Sequence, residues 1–264
     1  MLSPSPAHRL NGERLVVLGW SRAILLQLAH PLIAAGVAEH SSFRAGRLSA
    51  LSRLHHTVHA MLALTFGTAG EREHTLDVIR AIHRRVHGTL GEPVGPFPAG
   101  TGYSAEDPEL LLWVHATLLE SIPMTYERLV GPLVPGDWDG FCEEAADTVV
   151  ALGAPRDRVP TTHAALRSYV DERLRSGAIV VGPQAREIAS LVLAPPVAAS
   201  LAAPLVGLNR LITMGLLPPG IRSQYGFRWD ALKDRRFDRA CRRLRTVRRW
   251  LPRSAALWPE ARRT

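Results

Sequence analysis

Apolar residues recur at three- and four-residue steps along most of this chain, and no alternating run long enough for a strand interrupts them, which confines the fold to packed helices. Leu15 to Ala29 is apolar on nearly every face apart from Arg22 and Gln27, the pattern of a central buried helix. His30-Pro31 ends it, because a proline pushes the residue before it out of helical geometry. A second apolar run, Leu32 to Ala38, leads to Glu39 and His40, and a further helix covers Leu51 to Phe66 before Gly67. From Glu73 to Val86, Leu76, Ile79, Ile82 and Val86 form one stripe, with Gly88 as the stop. Residues 88–102, rich in Gly and Pro, read as a loop. Asp107-Pro108 then opens a helix carrying Trp113 and His115, with a capping side chain and a proline at the first helical position. More helices are expected at 138–152, 161–176, 184–193 and 199–215, and Phe237 to Leu251 reads as a surface helix docked by Phe237, Cys241, Leu244 and Val247. The expectation is one all-α domain over residues 13–252, after a disordered segment at 1–12 and before a tail at 253–264.

A chain of 264 residues can bury a sizeable core in such a domain. The net charge of +8 points toward polyanions, but Lys233 is the only lysine, so the charge is almost all arginine, a bias that GC-rich coding also produces. The arginines of 235–249 lack a recognition-helix pattern, and their helix already commits one face to packing, so nucleic acid is not the expected partner. Cys142 and Cys241 stand far apart with no metal-ligand spacing. That usage suits a reducing compartment, and Met1 to Glu13 shows no secretory leader, so a cytoplasmic location is expected. The uncharged stretch from Ile188 to Leu208 has bilayer length, but Pro195, Pro196 and Pro204 interrupt it. It reads as a broken buried helix, which leaves peripheral contact with a membrane surface open.

Histidine chemistry is the strongest lead to function. On the expected 73–86 helix, His83 and His87 are four residues apart and share an edge of the apolar stripe, so both imidazoles can line a crevice. In a chain with 11 histidines, each is also readable as a packed or hydrated side chain. One bare metal ion between the two is an alternative, although no carboxylate partner or HExxH pattern accompanies them.

A longer pattern gives these residues a context. His30-Pro31, Ala35-Gly36-Val37, His40-Ser41, Arg53-x-x-x-Thr57, Phe66-Gly67, Val86-His87-Gly88, Gly102-Tyr103, Asp107-Pro108, Trp113-Val114-His115 and the block Thr213 to Tyr225-Gly226 resemble the rubber oxygenases. That family also holds the membrane-associated oxygenase of mycophenolic acid biosynthesis, and the likeness spans about residues 15–230. It implies a globin-like helical domain around a haem b pocket, with His87 as the proximal iron ligand and Arg53 and Thr57 in the pocket. The guanidinium of Arg53 is suited to a propionate or another anion, and the hydroxyl of Thr57 to the oxidant or water. His83 joins the cofactor-binding set. Where the rubber-cleaving members carry an acidic residue and a lysine, this chain has Val37 and His56, which argues against polyisoprene as substrate. His56, Glu39 or His40 then supply the distal acid or base, with His56 the first choice. The implied activity is that of a haem-dependent oxygenase or peroxidase-like enzyme, using O2 or peroxide on a small, largely apolar molecule. His115 reads as a structural histidine.

Overall fold

The computed structural model describes residues 4–40, 47–193 and 203–263, with the backbone alone for 47–55. The chain begins with α1 (Pro6–Asn11), a 3-10 segment over Arg14–Gly19, α2 (Trp20–Leu28), α3 (Pro31–His40), α4 (Arg47–Phe66) and α5 (Ala69–His83). Strands β1 (His87–Thr89) and β2 (Gly102–Ser104) pair antiparallel and are followed by α6 (Pro108–Leu129), α7 (Asp137–Ala151), α8 (His163–Arg175) and α9 (Pro183–Leu193). The order closes with α10 (Ala203–Leu216), α11 (Pro219–Gln224), α12 (Ala231–Trp250) and α13 (Arg253–Ala256). Among the described residues the protein is all-α apart from one short ribbon.

The caps explain where helices start. Asp107 accepts from the amide of Glu109 at 2.8 Å and Pro108 fills the first helical position, as expected from the sequence. Thr68 and Glu71 form a reciprocal capping box, so α5 starts four residues earlier than its apolar stripe suggests. Pro31 separates α2 from α3, and the chain bends by 107° there.

Helix α6 is the axis of the core. Trp113 is fully buried and donates its indole N–H to the carbonyl of Leu26, while Leu25, Leu26, Leu119, Ile122, Leu166 and Ile188 close around it. Arg22, the exception in the apolar run of α2, is also buried. It donates to Glu120 at 2.6 Å, to Ser121 at 2.7 Å and to the carbonyl of Leu216 at 2.8 Å, which ties α2 to α6 and α10.

The Arg14–Gly19 segment crosses α6 at very short range. A Cβ on Gly19 would stand 1.9 Å from Oγ1 and 2.8 Å from Cβ of Thr125, whose hydroxyl is bonded to the carbonyl of Ser121. Gly19→Ala is therefore expected to destabilise the fold by about 1–3 kcal/mol through overpacking. Urea unfolding checks this, with Thr125→Gly restoring most of the loss in the double variant.

Both ends of the chain depart from the expectation. Residues 4–12 are packed: Ser5 caps α1, Leu10 is fully buried, His8 bonds the carbonyl of Thr65 and Arg9 pairs with Asp137. The 253–263 stretch lies against them, with Trp258 donating to Gly12 and Arg14 donating to Leu257 while its guanidinium covers the Trp258 ring. Short polar segments carry weak periodicity, so the contacts that order these ends come from distant parts of the chain. In the expected 188–208 helix, α9 ends at Leu193 and α10 starts at Ala203, so Pro195 and Pro196 fall outside the described residues. No single described helix is long and apolar enough to cross a membrane.

Candidate functional site

Helix α5 does not continue to His87. Arg84 caps it, the amide of Val86 bonds the carbonyl of His83, and His87 enters β1 opposite Ser104. The shared helix edge expected for His83 and His87 therefore does not form. The reason lies across the ribbon: Gly88 pairs with Tyr103, and a Cβ there would stand 2.5 Å from the Tyr103 hydroxyl and 3.0 Å from a Glu39 oxygen. Gly88 serves close backbone approach in the ribbon, and the helix stops before it.

The end of α3 and the ribbon are latched together. Tyr103, buried, donates its hydroxyl to Glu39, and burial followed by that carboxylate pushes its acidity well below that of an ordinary phenol. His40 donates from Nε2 to the carbonyl of His87 at 3.0 Å, and its ring meets Tyr103 edge-on. Glu39 and His40, candidates for a distal acid or base, are thus engaged with β1 and β2. The side chain of His87 is exposed.

His83 differs. It is half-buried at the last turn of α5, and burial lowers its pKa against a smaller opposing effect from Glu106, which favours the neutral, metal-ligating form. Helices α4 and α5 are joined by Gly67 and Thr68 alone and pack together, so positions equally far from the link stand at similar height. Arg53 and His83 are such a pair. The side chain of Arg53 lies outside the described residues, while His56 and Thr57 are exposed on α4. Val37 packs against the main core cluster.

A second feature was not legible from the sequence. A cavity of about 430 Å³ opens between α1, α4, α6 and α7. Met61, Leu64, Leu118 and Phe141 supply apolar wall, while about half of the lining residues are polar or charged, including Asn11, His115, Arg72 and Glu144. His115 is buried, and its Nε2 has no hydrogen-bond partner among the described residues. Burial lowers its pKa to about 4, so it is neutral at physiological pH. The Oδ1 of Asn11 is likewise buried and unpartnered among the described residues, while its Nδ2 donates to Thr65. The available signal was helical: His115, Leu118, Leu119 and Ile122 fall on one face of α6. Buried His30, whose Nδ1 accepts from the amide of Leu32, was also missed as a titrating group.

The family described as "ER-bound oxygenase mpaB/B'/Rubber oxygenase, catalytic domain" matches residues 8–246. The uncharacterized protein Rv2237 of Mycobacterium tuberculosis and the uncharacterized protein Mb2261 of Mycobacterium bovis are each 28% identical over 237 residues, which is 88% of this chain and 88% of theirs. No solved structure matches.

Proposed function

The chain belongs to the family of mpaB-type and rubber oxygenase catalytic domains, and from that premise we propose that it is a haem b-dependent oxidoreductase using O2 or peroxide on a small, largely apolar substrate. The observation that carries the reading is the match over residues 8–246, which includes the Arg53, Thr57 and His87 pattern. Haem supplies the redox-active iron. A porphyrin needs one imidazole from the protein, whereas a bare ion needs several ligands. Among the described residues, no three His, Cys, Asp or Glu side chains stand together as a metal cluster, and the helical His83/His87 pair has lost its geometry. The single-imidazole requirement is one the candidate site can meet.

In this proposal His87 holds the cofactor, Arg53 pairs with a propionate, Thr57 hydrogen-bonds the oxidant or water, and His56 holds the proton for delivery. His83 is the second reading for the residue that would hold the iron. Its favouring observations are half-burial, the bias toward the neutral form and the height it shares with Arg53. A globin-like enclosure of the cofactor, a cytoplasmic location suited to the buried free cysteines, and peripheral membrane contact belong to the same proposal.

The test is a pyridine haemochrome assay and absorption spectrum on protein produced with a haem precursor. Near-stoichiometric haem in the wild type, lost in His87→Ala and kept in His83→Ala, is the expected result; the reverse pattern assigns the iron to His83. Absence of porphyrin from the wild type overturns the reading.

A further inference from the structure

We propose that the outward face of α12 docks the protein on a bilayer surface carrying anionic phospholipid, with its arginines on the headgroup phosphates and Trp250 at the headgroup boundary. The helix has two unlike faces. Phe237, Cys241 and Leu244 turn inward and pack with Leu129, Ile212 and Leu216, and Arg248 beside them is held by Glu13. Steps of about 100° per residue place Arg235, Arg236, Arg239, Arg242, Arg243 and Arg249 on the other side, and all six are exposed. None of the six pairs with a carboxylate among the described residues. The acids nearest in sequence are engaged elsewhere, Asp238 opposite Arg128 and Asp234 with the indole of Trp229.

The C-terminal end of this helix adds hydrocarbon to the charge. Val247, Trp250 and Leu251 are 54%, 85% and 36% exposed, so three of the eight exposed large apolar side chains among the described residues fall within five positions. Coding bias explains arginine in place of lysine, but not an unshielded indole at the end of an arginine-lined face. Basic side chains beside tryptophan are the pairing that holds interfacial helices on membranes: the first meet lipid phosphate, and the second sits where headgroups give way to acyl chains. Nucleic acid would satisfy the arginines but leave Val247 and Leu251 in water, since neither offers a flat face on which a base can stack. The outward face also carries no Asn or Gln to read base edges.

This face gives the peripheral membrane contact of the proposed function a location and a lipid chemistry. A docked enzyme meets an apolar substrate in the phase where that substrate concentrates. That benefit rests on the oxidoreductase reading; the docking itself does not.

Cosedimentation of the purified full chain with phosphatidylcholine vesicles, and with the same vesicles containing phosphatidylglycerol, is the test. Binding is expected only where phosphatidylglycerol is present, and it should fall as salt is raised. Each basic residue strengthens binding to an anionic surface by roughly fivefold, so Arg239→Gln combined with Arg243→Gln should weaken it about 25-fold. Trp250→Ser should weaken it about tenfold by removing the apolar anchor. Arg167→Gln combined with Arg175→Gln takes the same charge from exposed positions of α8 and should change binding by less than about twofold. All the substituted side chains are exposed, so every variant should keep the wild-type thermal midpoint. No binding to the anionic vesicles, undiminished binding in either α12 variant, or equal weakening by the α8 pair overturns the proposal. A DNA duplex bound through the α12 arginines, with vesicles ignored, also overturns it and assigns the face to nucleic acid. An absorption spectrum of each sample keeps the readings apart: vesicle binding without porphyrin strikes the haem reading alone, and haem without vesicle binding strikes the docking alone.

Discussion

Acidification from pH 6.5 to pH 4 is expected to remove on the order of 3 kcal/mol of folding stability for each of two buried imidazoles, His30 and His115. Burial, reinforced by the charge of Arg173, lowers the pKa of His30 to about 4, and burial alone does the same for His115. Both start from 6.5 in the unfolded chain. Between these values the unfolded state binds protons that the folded state refuses, so stability rises with pH across the window. The contribution is complete above pH 6.5 and is lost as pH falls toward 4. For His30 the geometry agrees, because Nδ1 accepts from the amide of Leu32 and a proton placed there would break that bond. Urea midpoints at pH 7.5, 6.5, 5.5 and 4.5 measure the effect. His30→Asn, whose side-chain oxygen can take over the role of Nδ1, should flatten part of the slope, and His115→Leu another part. A wild-type midpoint that stays constant between pH 6.5 and pH 5 would refute the assignment.

Glu120→Ala is expected to cost about 3–5 kcal/mol, because it strands the charge of Arg22 in the core. The Arg22 side chain is 1% exposed, and Glu120, at 15%, is its only carboxylate partner among the described residues. Ser121 and the Leu216 carbonyl would continue to accept hydrogen bonds, but neither neutralises the charge. Removing both charges is a different experiment. Arg22→Met combined with Glu120→Leu replaces the pair by apolar volume and should lie much closer to wild type than Glu120→Ala. Denaturant unfolding of the two singles and the double gives the coupling directly. A loss below about 1 kcal/mol in Glu120→Ala would mean that water reaches the guanidinium and that the ion pair is not a core element.

Local signals governed what the sequence could show. Helical periodicity, Asp107-Pro108 and His30-Pro31 act within a few residues, and they located α3, α4, α6, α7, α8 and α9 closely, whereas the first part of the expected 15–29 helix is the 3-10 segment and α2 begins only at Trp20. The family pattern named Arg53, Thr57 and His87 because residue types and spacings survive as a linear string. Spacing failed where two structures compete for the same residues. The stripe ending in Val86 reads as helix through His87, yet the pairing of Gly88 with Tyr103 and the latch from Glu39 and His40 draw His87 into a strand.

By itself, then, the sequence determined the helical class, the order of the helices and the family, since each depends on residues close in the chain or on their linear order. Only the tertiary structure decided that Arg22 is a buried charge, that the chain ends pack together, that His83 is sheltered while His87 is exposed, and that His115 lines a cavity. Burial and proton affinity depend on what the rest of the chain places around a side chain, and those neighbours come from helices far apart in sequence.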